Sequence, residues 1–148
     1  MKEKSINLGY IQMSSYKTGD EIFPDYFYEE EDNLEEIKNS PPDEIILPAN
    51  QIFTLYIDYP LTTEFTTELN TGVHGLTRRN VIDFVIKCYK KIYEEEDEST
   101  KVKAGHIPNM FNRNKTNGKY GIWGHDLSDL MIHTLYVQGN ELRVGVDS

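Results

Sequence analysis

The sequence predicts a single α+β domain, with a mostly antiparallel four-stranded sheet and one long helix packed on a face of it. Three observations support this: two alternating apolar runs between residues 51 and 69, helical apolar spacing over residues 78–95, and two alternating runs after residue 133. The predicted order is β-β-α-β-β, with a loop and a short helix before the third strand. A chain of 148 residues suffices for one such domain.

The first two strands are predicted on either side of Pro60. Residues 51–59 alternate apolar and more polar side chains over a β-branched and aromatic run, which the proline ends. Residues 63–69 repeat the pattern, with glutamates and threonines on one side. Because the link between the runs is short, the two strands are predicted to be antiparallel neighbours.

The long helix is predicted over residues 78–95, with the Thr77 hydroxyl as its N-terminal cap. Apolar residues recur on one stripe of this helix, and Cys88 is among them. Cys88 is the only cysteine, so an intrachain disulfide is excluded, and its position favours a buried structural thiol over a nucleophile. Tyr89 and Tyr93, one turn apart, are interpreted as core and rim residues rather than as a site.

An acidic run, Glu94-Glu95-Glu96-Asp97-Glu98, comes at the end of the predicted helix. Negative charge at a helix C-terminus is unfavourable because it opposes the helix dipole. Two interpretations remain open. The run is a solvated, frayed helix end, or it faces the cationic stretch that follows it.

The C-terminal part is predicted to hold a short helix and a hairpin. Asp126 can cap a helix of about two turns, and the residues from Thr134 to Gln138 read as a strand. Gly139-Asn140 suits a two-residue hairpin turn, because both residues tolerate positive φ. The last strand alternates over residues 141–146.

Residues 1–48 are predicted to form an acidic, poorly ordered arm that precedes the α+β domain at residues 49–148. This third of the chain holds 12 of the 25 acidic residues and only 4 of the 15 basic ones. Acidic residues mixed with aromatics are typical of a docking segment, although the same aromatics could fold back on the domain. The pattern near Asn7–Met13 also allows a short strand.

The sequence shows neither a signal peptide after its first residues nor a membrane-spanning segment. No apolar run follows the first four residues, and no stretch approaches the ~18 apolar residues of a membrane span. We therefore expect an intracellular protein, cytoplasmic or nuclear, without a membrane partner. The sequence predicts no cofactor.

The stretch from Ser99 to His125 is the most specialised part of the sequence. It holds five cationic residues and no acid in a chain of net charge -10, and it contains the only tryptophan. Its candidate ligand-binding residues are Arg113, Lys115, Lys119, Tyr120 and Trp123. The cations suit an anion, and Tyr120 and Trp123 could stack on a base. The flanking glycines equally suit a buried indole that pins the loop, which is the interpretation that we favour for Trp123.

The candidate catalytic residues are His125, Asp126 and Asp129, which lie at the end of this stretch and directly after it. A histidine beside carboxylates can transfer protons, and His106 and His125 are weak candidates for metal ligands. Their spacing matches no established motif. The two aspartates have a simpler explanation near a helix N-terminus, where they complement the dipole.

Parts of the sequence resemble a family of small uncharacterised proteins from plants, protists and large DNA viruses. The matching segments are Tyr89-x-x-Ile92-Tyr93-x-Glu95-Glu96, and Asn112-Arg113 followed by Gly118-Lys119-Tyr120-Gly121-Ile122-Trp123-Gly124-His125-Asp126-Leu127-x-Asp129-Leu130. The resemblance covers about residues 50–148 and implies no activity. It implies only that the loop is a family signature, which serves folding or binding.

The sequence favours a non-enzymatic protein-interaction module that uses the acidic arm and the cationic loop to contact an unknown protein partner. One alternative is a small hydrolase or phosphate-handling enzyme that uses His125, Asp126 and Asp129. A second alternative is the binding of nucleic acid or another polyanion by residues 99–125, which is not favoured because specific readers carry a broader basic face. The arm could also lie on the loop and block it.

Overall fold

The computed structural model describes residues 3–14, 16, 41–100, 116–123 and 125–148. The elements in these ranges confirm the predicted α+β class. In chain order they are strands β1 (Lys4–Gln12), β2 (Ile45–Leu47), β3 (Ile52–Ile57), β4 (Phe65–Asn70) and β5 (Leu76–Thr77), helix α1 (Arg78–Ser99), a 3-10 turn (Leu127–Asp129), and strands β6 (Met131–Gln138) and β7 (Glu141–Asp147).

The main sheet has five strands instead of the predicted four, in the order β1-β6-β7-β3-β4. Its neighbours are antiparallel, except that β3 and β7 run parallel. The predicted β3–β4 and β6–β7 pairs are both present. A separate two-stranded sheet joins β2 to β5, directly before α1.

The fifth strand, β1, comes from the part of the chain that was predicted to be a poorly ordered arm. It pairs with β6, and Leu8 and Ile11 on it are completely or almost completely buried. The register shifts between Asn7 and Ile11, where Gly9 has a φ of 91° and donates its N–H to the Asn7 side chain. This irregularity breaks the period of two, which is why the sequence signalled the strand so weakly. The acidic aromatic residues 17–40 lie outside the described residues.

Helix α1 begins as predicted and ends later than predicted. The Thr77 side chain accepts the N–H of Asn80, and the Asn80 side chain accepts the N–H of Thr77 in return. The helix continues to Ser99, one turn beyond residue 95, so the acidic run is helical rather than frayed. The favourable contacts of two of its acids, described below, account for this extra turn.

The core is one cluster of buried residues that unites α1 with the sheet. Cys88 belongs to it, and burial raises the pKa of its thiol to about 11. A thiol that stays protonated at neutral pH is a poor nucleophile, so the cysteine is structural. Among the described residues, no helix combines the length and the apolar character needed to cross a membrane.

The position of β1 in the core leads to the first prediction. Leu8→Ala removes a fully buried side chain, so the free energy of unfolding should fall by about 2–5 kcal/mol. Val73→Ala serves as the control because Val73 is 74% exposed. Urea unfolding measures both variants. Equal stabilities for the two variants would mean that β1 does not contribute to the core.

Candidate functional site

The centre of the specialised region is the carboxylate of Glu96, near the C-terminus of α1. Its side chain is fully buried, although it carries a charge. Its Oε2 accepts the N–H of Gly118 at 2.7 Å, and its Oε1 accepts the N–H groups of Tyr120 at 2.7 Å and Gly121 at 3.3 Å. A buried carboxylate is stable only when hydrogen bonds replace its water, and here the loop backbone supplies them.

These contacts decide the charge state of Glu96. Burial opposes ionisation, but the Thr116 hydroxyl and the N–H groups of Tyr120, Gly118 and Gly121 outweigh it, so the pKa of the carboxyl lies below its ordinary value. The side chain is therefore ionised at neutral pH. The ionised side chain occupies the N–H donors of the loop. These donors therefore cannot bind a second anion.

The glycines of the loop make this arrangement sterically feasible. A Cβ on Gly118 would lie 2.5 Å from the Ser99 Oγ and 2.8 Å from the Glu96 carboxyl carbon. Gly121 has a φ of 61°, a conformation that other residues rarely adopt. The first glycine allows the close approach of helix and loop, and the second allows the turn that brings three N–H groups to one carboxylate.

A second set of backbone bonds fixes the same loop to the residues after β3. The N–H of Thr62 lies 3.0 Å from the carbonyl oxygen of Tyr120, and the N–H of Trp123 lies 2.8 Å from that of Pro60. Within the loop, Thr116 is fully buried and its hydroxyl accepts the N–H of Ile122 at 2.8 Å. Residues 116–123 therefore form a loop that is hydrogen-bonded to α1 on one side and to the residues after β3 on the other.

Tyr89 and Tyr93 extend this attachment along α1. The Tyr89 hydroxyl donates to the carbonyl of Tyr59, and the Tyr93 hydroxyl donates to the carbonyl of His125, both at 2.8 Å. Burial raises the pKa of both hydroxyls, so they remain protonated donors. Their predicted role as core and rim residues is confirmed, with the addition that each hydroxyl anchors one of the two segments beside the loop.

Lys119 and Tyr120, two predicted ligand-binding residues, contact the helix. The Lys119 ammonium lies 2.9 Å from Oε2 of Glu95, a contact that lowers the pKa of Glu95 and raises that of Lys119. Tyr120 is only 5% exposed, and its hydroxyl donates to the same Glu95 oxygen at 3.2 Å. Tyr120 therefore packs inside the loop and presents no face for stacking on a base.

Trp123 contradicts the favoured prediction that its indole is buried. It is 56% exposed, whereas its neighbour Ile122 is fully buried. The reason is the strand-like pairing with residues 60–61, which turns successive side chains to opposite sides. Tyr59 is 40% exposed and its ring centroid lies 6.0 Å from that of His125. We call Trp123, Tyr59 and His125 the Trp123 surface.

The three candidate catalytic residues lie together at the start of the 3-10 turn. Oδ2 of Asp129 accepts the N–H of Asp126 at 2.9 Å and lies 3.8 Å from Nδ1 of His125. The Asp129 carboxylate thus stabilises the start of the 3-10 turn. The short helix predicted here has one turn instead of about two, because Leu130 is buried and the next residue already pairs in β6.

An open groove with a volume of about 660 Å³ separates α1 from the 3-10 turn. We call it the acidic groove, because it carries four carboxylates and one ammonium group. Its lining residues are Lys90, Tyr93, Glu94, Asp97, Glu98, Asp126, Leu127 and Ser128. Positions 90, 94, 97 and 98 are spaced three or four apart and therefore share one face of α1.

The remaining predicted site residues, Arg113, Lys115 and His106, lie outside the described residues. Within the described ranges, no three His, Cys, Asp or Glu side chains are grouped so that they could hold a metal ion. Sequence reasoning missed Glu96 as the organising residue. The available signal was an acidic run at a helix C-terminus, where the dipole disfavours it, followed by the glycines at 118 and 121.

Comparisons with known proteins add no assignment: no family model, no curated protein and no solved structure matches the chain. The resemblance of the loop to a signature of small uncharacterised proteins therefore stays a prediction.

Replacing Glu96 should release the loop. In Glu96→Ala three backbone N–H groups, two of them buried and one partly buried, lose their acceptor, so we expect a loss of about 3 kcal/mol or more in the free energy of unfolding. Glu96→Gln keeps one acceptor oxygen and should lose less. Glu95→Gln is the control in the same helix turn, and its effect should be clearly smaller because its contact is exposed. Chemical denaturation measures all three; equal losses for positions 95 and 96 would refute the role of Glu96.

The lowered pKa of Glu96 predicts acid sensitivity. Its contribution to stability is fully present above the unfolded value of about 4.3. It is lost as the pH falls through the lower folded value, because protonation removes the negative charge and converts one of the two accepting oxygens into an O–H donor. Stability measured between pH 7 and pH 3 should therefore fall less steeply in Glu96→Gln than in the parent protein. Parallel curves would show that other carboxyls cause the acid sensitivity.

Proposed function

We propose that this protein is a non-enzymatic protein-interaction module whose contact surface includes the Trp123 surface. One observation supports this most directly: the only tryptophan of the chain is more than half exposed. It lies on a loop whose backbone is hydrogen-bonded both to α1 and to the residues after β3. Tryptophan and tyrosine are enriched among the residues that dominate binding energy at protein interfaces. A solvent-exposed indole on a rigid element is therefore a candidate anchor for a partner.

The rigidity of the loop is part of the argument. A side chain presented by an ordered backbone loses less conformational entropy on binding than one on a mobile loop. Ile122 is buried directly before Trp123, and the N–H of Trp123 is bonded to Pro60. The contacts of Glu96 with Gly118 and Tyr120 hold the same backbone from the side of the helix.

The structure changes the set of residues that we assign to the interaction. Tyr120 is buried and Lys119 is paired with Glu95, so neither is proposed as a contact. Neither alternative gains support in the described part of the chain. The carboxylate of Asp129, which the enzyme alternative assigns to catalysis, already accepts the N–H of Asp126. The groove beside the 3-10 turn carries four carboxylates and one ammonium group, which disfavours a polyanion there.

The proposal predicts that a partner covers position 123. A photo-crosslinking amino acid at position 59, with Trp123 left intact, should give a discrete crosslinked product in cells that express the protein. Adding Trp123→Ala to this variant should abolish the product. The control crosslinker replaces Val73, which is 74% exposed in the turn before β5. The same product from positions 59 and 73, or no product from position 59, would contradict the proposal.

The role of the acidic arm needs a deletion that spares the fold. Removal of residues 1–48 would delete β1 and its buried Leu8, so loss of binding would report unfolding. Replacing residues 17–40 with a Gly-Ser linker of equal length tests the arm while keeping β1 and β2.

A further inference from the structure

We propose that the free edge of β4 pairs with the same strand of a second copy of this chain, in an antiparallel, two-fold arrangement centred on Thr67. This inference goes beyond the proposed function, because it concerns an element other than the loop that carries the Trp123 surface. Its basis is a strand edge whose backbone groups, side-chain pattern and charge all suit this one pairing.

The two edges of the main sheet differ in their protection. In the order β1-β6-β7-β3-β4, the described strands leave one side of β1 and one side of β4 unpaired. On β1, the bulge at Gly9 interrupts the edge, and the carbonyl of Asn7 accepts the Arg78 side chain at 2.6 Å. In contrast, β4 has no register shift against β3 and contains neither proline nor lysine. The devices that usually block pairing with another chain are therefore absent from this described strand.

The hydrogen bonds of β3 show which groups of β4 face outward. The N–H of Thr54 lies 2.8 Å from the carbonyl oxygen of Asn140, so Thr54 points its backbone groups away from β4. Glu68 lies opposite Thr54 in the antiparallel pair and therefore points its own N–H and carbonyl away from β3. Thr66 does the same two positions earlier, because the backbone groups of a strand alternate in direction. Thr66 and Glu68 are both exposed, and they present donors and acceptors that no described strand uses.

Among the two-fold registers that overlap most of β4, one uses these groups without opposing like charges. With Thr67 on the axis, Thr66 lies opposite Glu68 of the partner subunit, and the two residues exchange both backbone hydrogen bonds. An axis at Glu68 places two Glu68 carboxylates opposite each other, and an axis at Thr66 places Glu68 opposite Glu64. Like charges directly opposite each other are destabilising. The strand is therefore self-complementary about Thr67, as a two-fold contact requires.

The same register brings apolar side chains together on one face of the sheet. Leu69 belongs to the core and Phe65 packs against it, and both share a face of β4 with Thr67. Around an axis at Thr67, Phe65 lies opposite Leu69 of the partner subunit, and the symmetry repeats this contact. The apolar layer of each copy therefore continues across the interface.

The loop of residues 116–123 limits the pairing at one end. The N–H groups of Thr62 and Thr63 lie 3.0 and 2.9 Å from the carbonyl oxygen of Tyr120, before β4 begins at Phe65. The contact between the copies is therefore restricted to one short strand pair, which is small for a stable complex. Each copy also carries a net charge of -10, which opposes association. We expect a reversible dimer with a dissociation constant on the order of 10–100 μM.

A cysteine on the axis tests the pairing and its register together. The two copies of position 67 would form a non-hydrogen-bonded pair, with Cα atoms about 4.5 Å apart, a separation that a disulfide spans. Thr67→Cys should therefore form a covalent dimer on mild oxidation, seen on a non-reducing gel. Thr66→Cys is the matched control, because its two copies would lie two residues out of line, beyond the limit of about 7 Å.

The parent chain is the second control in this experiment. Its only cysteine, Cys88, is buried, so the parent should give no covalent dimer under the same conditions. Absence of the product in Thr67→Cys, or equal or stronger crosslinking in Thr66→Cys, would overturn the inference. The more exposed side chain of Thr66 would favour the control if collisions alone caused the reaction.

The charge at position 66 gives a test of the full chain without crosslinking, with the dissociation constant measured by sedimentation. Thr66→Lys faces Glu68 of the partner subunit and should tighten the dimer about threefold or more, whereas Thr66→Glu should weaken it by a similar factor. Ser128→Lys and Ser128→Glu are matched controls for net charge, because Ser128 is exposed and contacts β1 at the opposite edge of the sheet. A parent protein that is monomeric at every concentration up to about 500 μM, or equal effects at positions 66 and 128, would overturn the inference.

A proline at position 68 separates the free edge from the fold of the sheet. Glu68→Pro removes an N–H that faces away from β3, so the β3–β4 pair keeps its hydrogen bonds. It should abolish the dimer, whereas Glu68→Ala, which removes the same side chain and keeps the N–H, should retain it. Circular dichroism and urea unfolding check the fold of both variants. A folded Glu68→Pro protein that still dimerises would overturn the inference. None of these variants alters Trp123, so the dimer and the proposed interaction module stand or fall separately.

Discussion

The carboxylate of Glu96 is the interaction on which the specialised part of this structure depends. It joins α1 to residues 118–121, which are more than 20 positions later in the chain. Without an anion in this place, the buried donors of Tyr120 and Gly121 and the partly buried donor of Gly118 would lose their acceptor, at a cost of about 1–3 kcal/mol for each buried group. The close approach that Gly118 permits and the turn at Gly121 both serve this one contact.

The geometry of the helix directs the residues of the acidic run at the end of α1 to two different sides. Successive residues of a helix are rotated by about 100°, so five neighbouring acids cannot share one environment. Glu95 and Glu96 turn to the loop, where a lysine and backbone N–H groups satisfy them. Glu94, Asp97 and Glu98 turn to the groove and stay exposed. One sequence feature thus builds a fold contact and a charged surface.

The loop is anchored around the exposed tryptophan by other groups. Tyr120 and Ile122 are buried, the Pro60 carbonyl accepts the N–H of Trp123, and the Tyr93 hydroxyl donates to the carbonyl of His125. A large aromatic side chain that is more than half exposed, on a backbone that these contacts hold, is the basis of the proposed interaction function.

Sequence by itself determined the elements that rest on local periodicity and local capping. The α+β class, the Thr77 cap, the stripe with Cys88, and the β3–β4 and β6–β7 pairs all follow from patterns within a few residues. The specialised loop was also identified as a region, from its glycines and its tryptophan. In each case the information lies in neighbouring residues, where side-chain spacing and backbone preference are directly readable.

Only the tertiary structure decided which side chains of that region are buried and what holds them. The partners of Glu96, the exposure of Trp123, the burial of Tyr120 and the use of Asp129 in a turn depend on segments far apart in the chain. The fifth strand was indicated only as a possible short strand, and was not included in the predicted sheet, for a related reason. A bulge at Gly9 interrupts its alternation, and its pairing with β6 spans most of the chain. Hydrogen bonds between distant segments produce no periodic pattern in the sequence, so the sequence alone does not predict them.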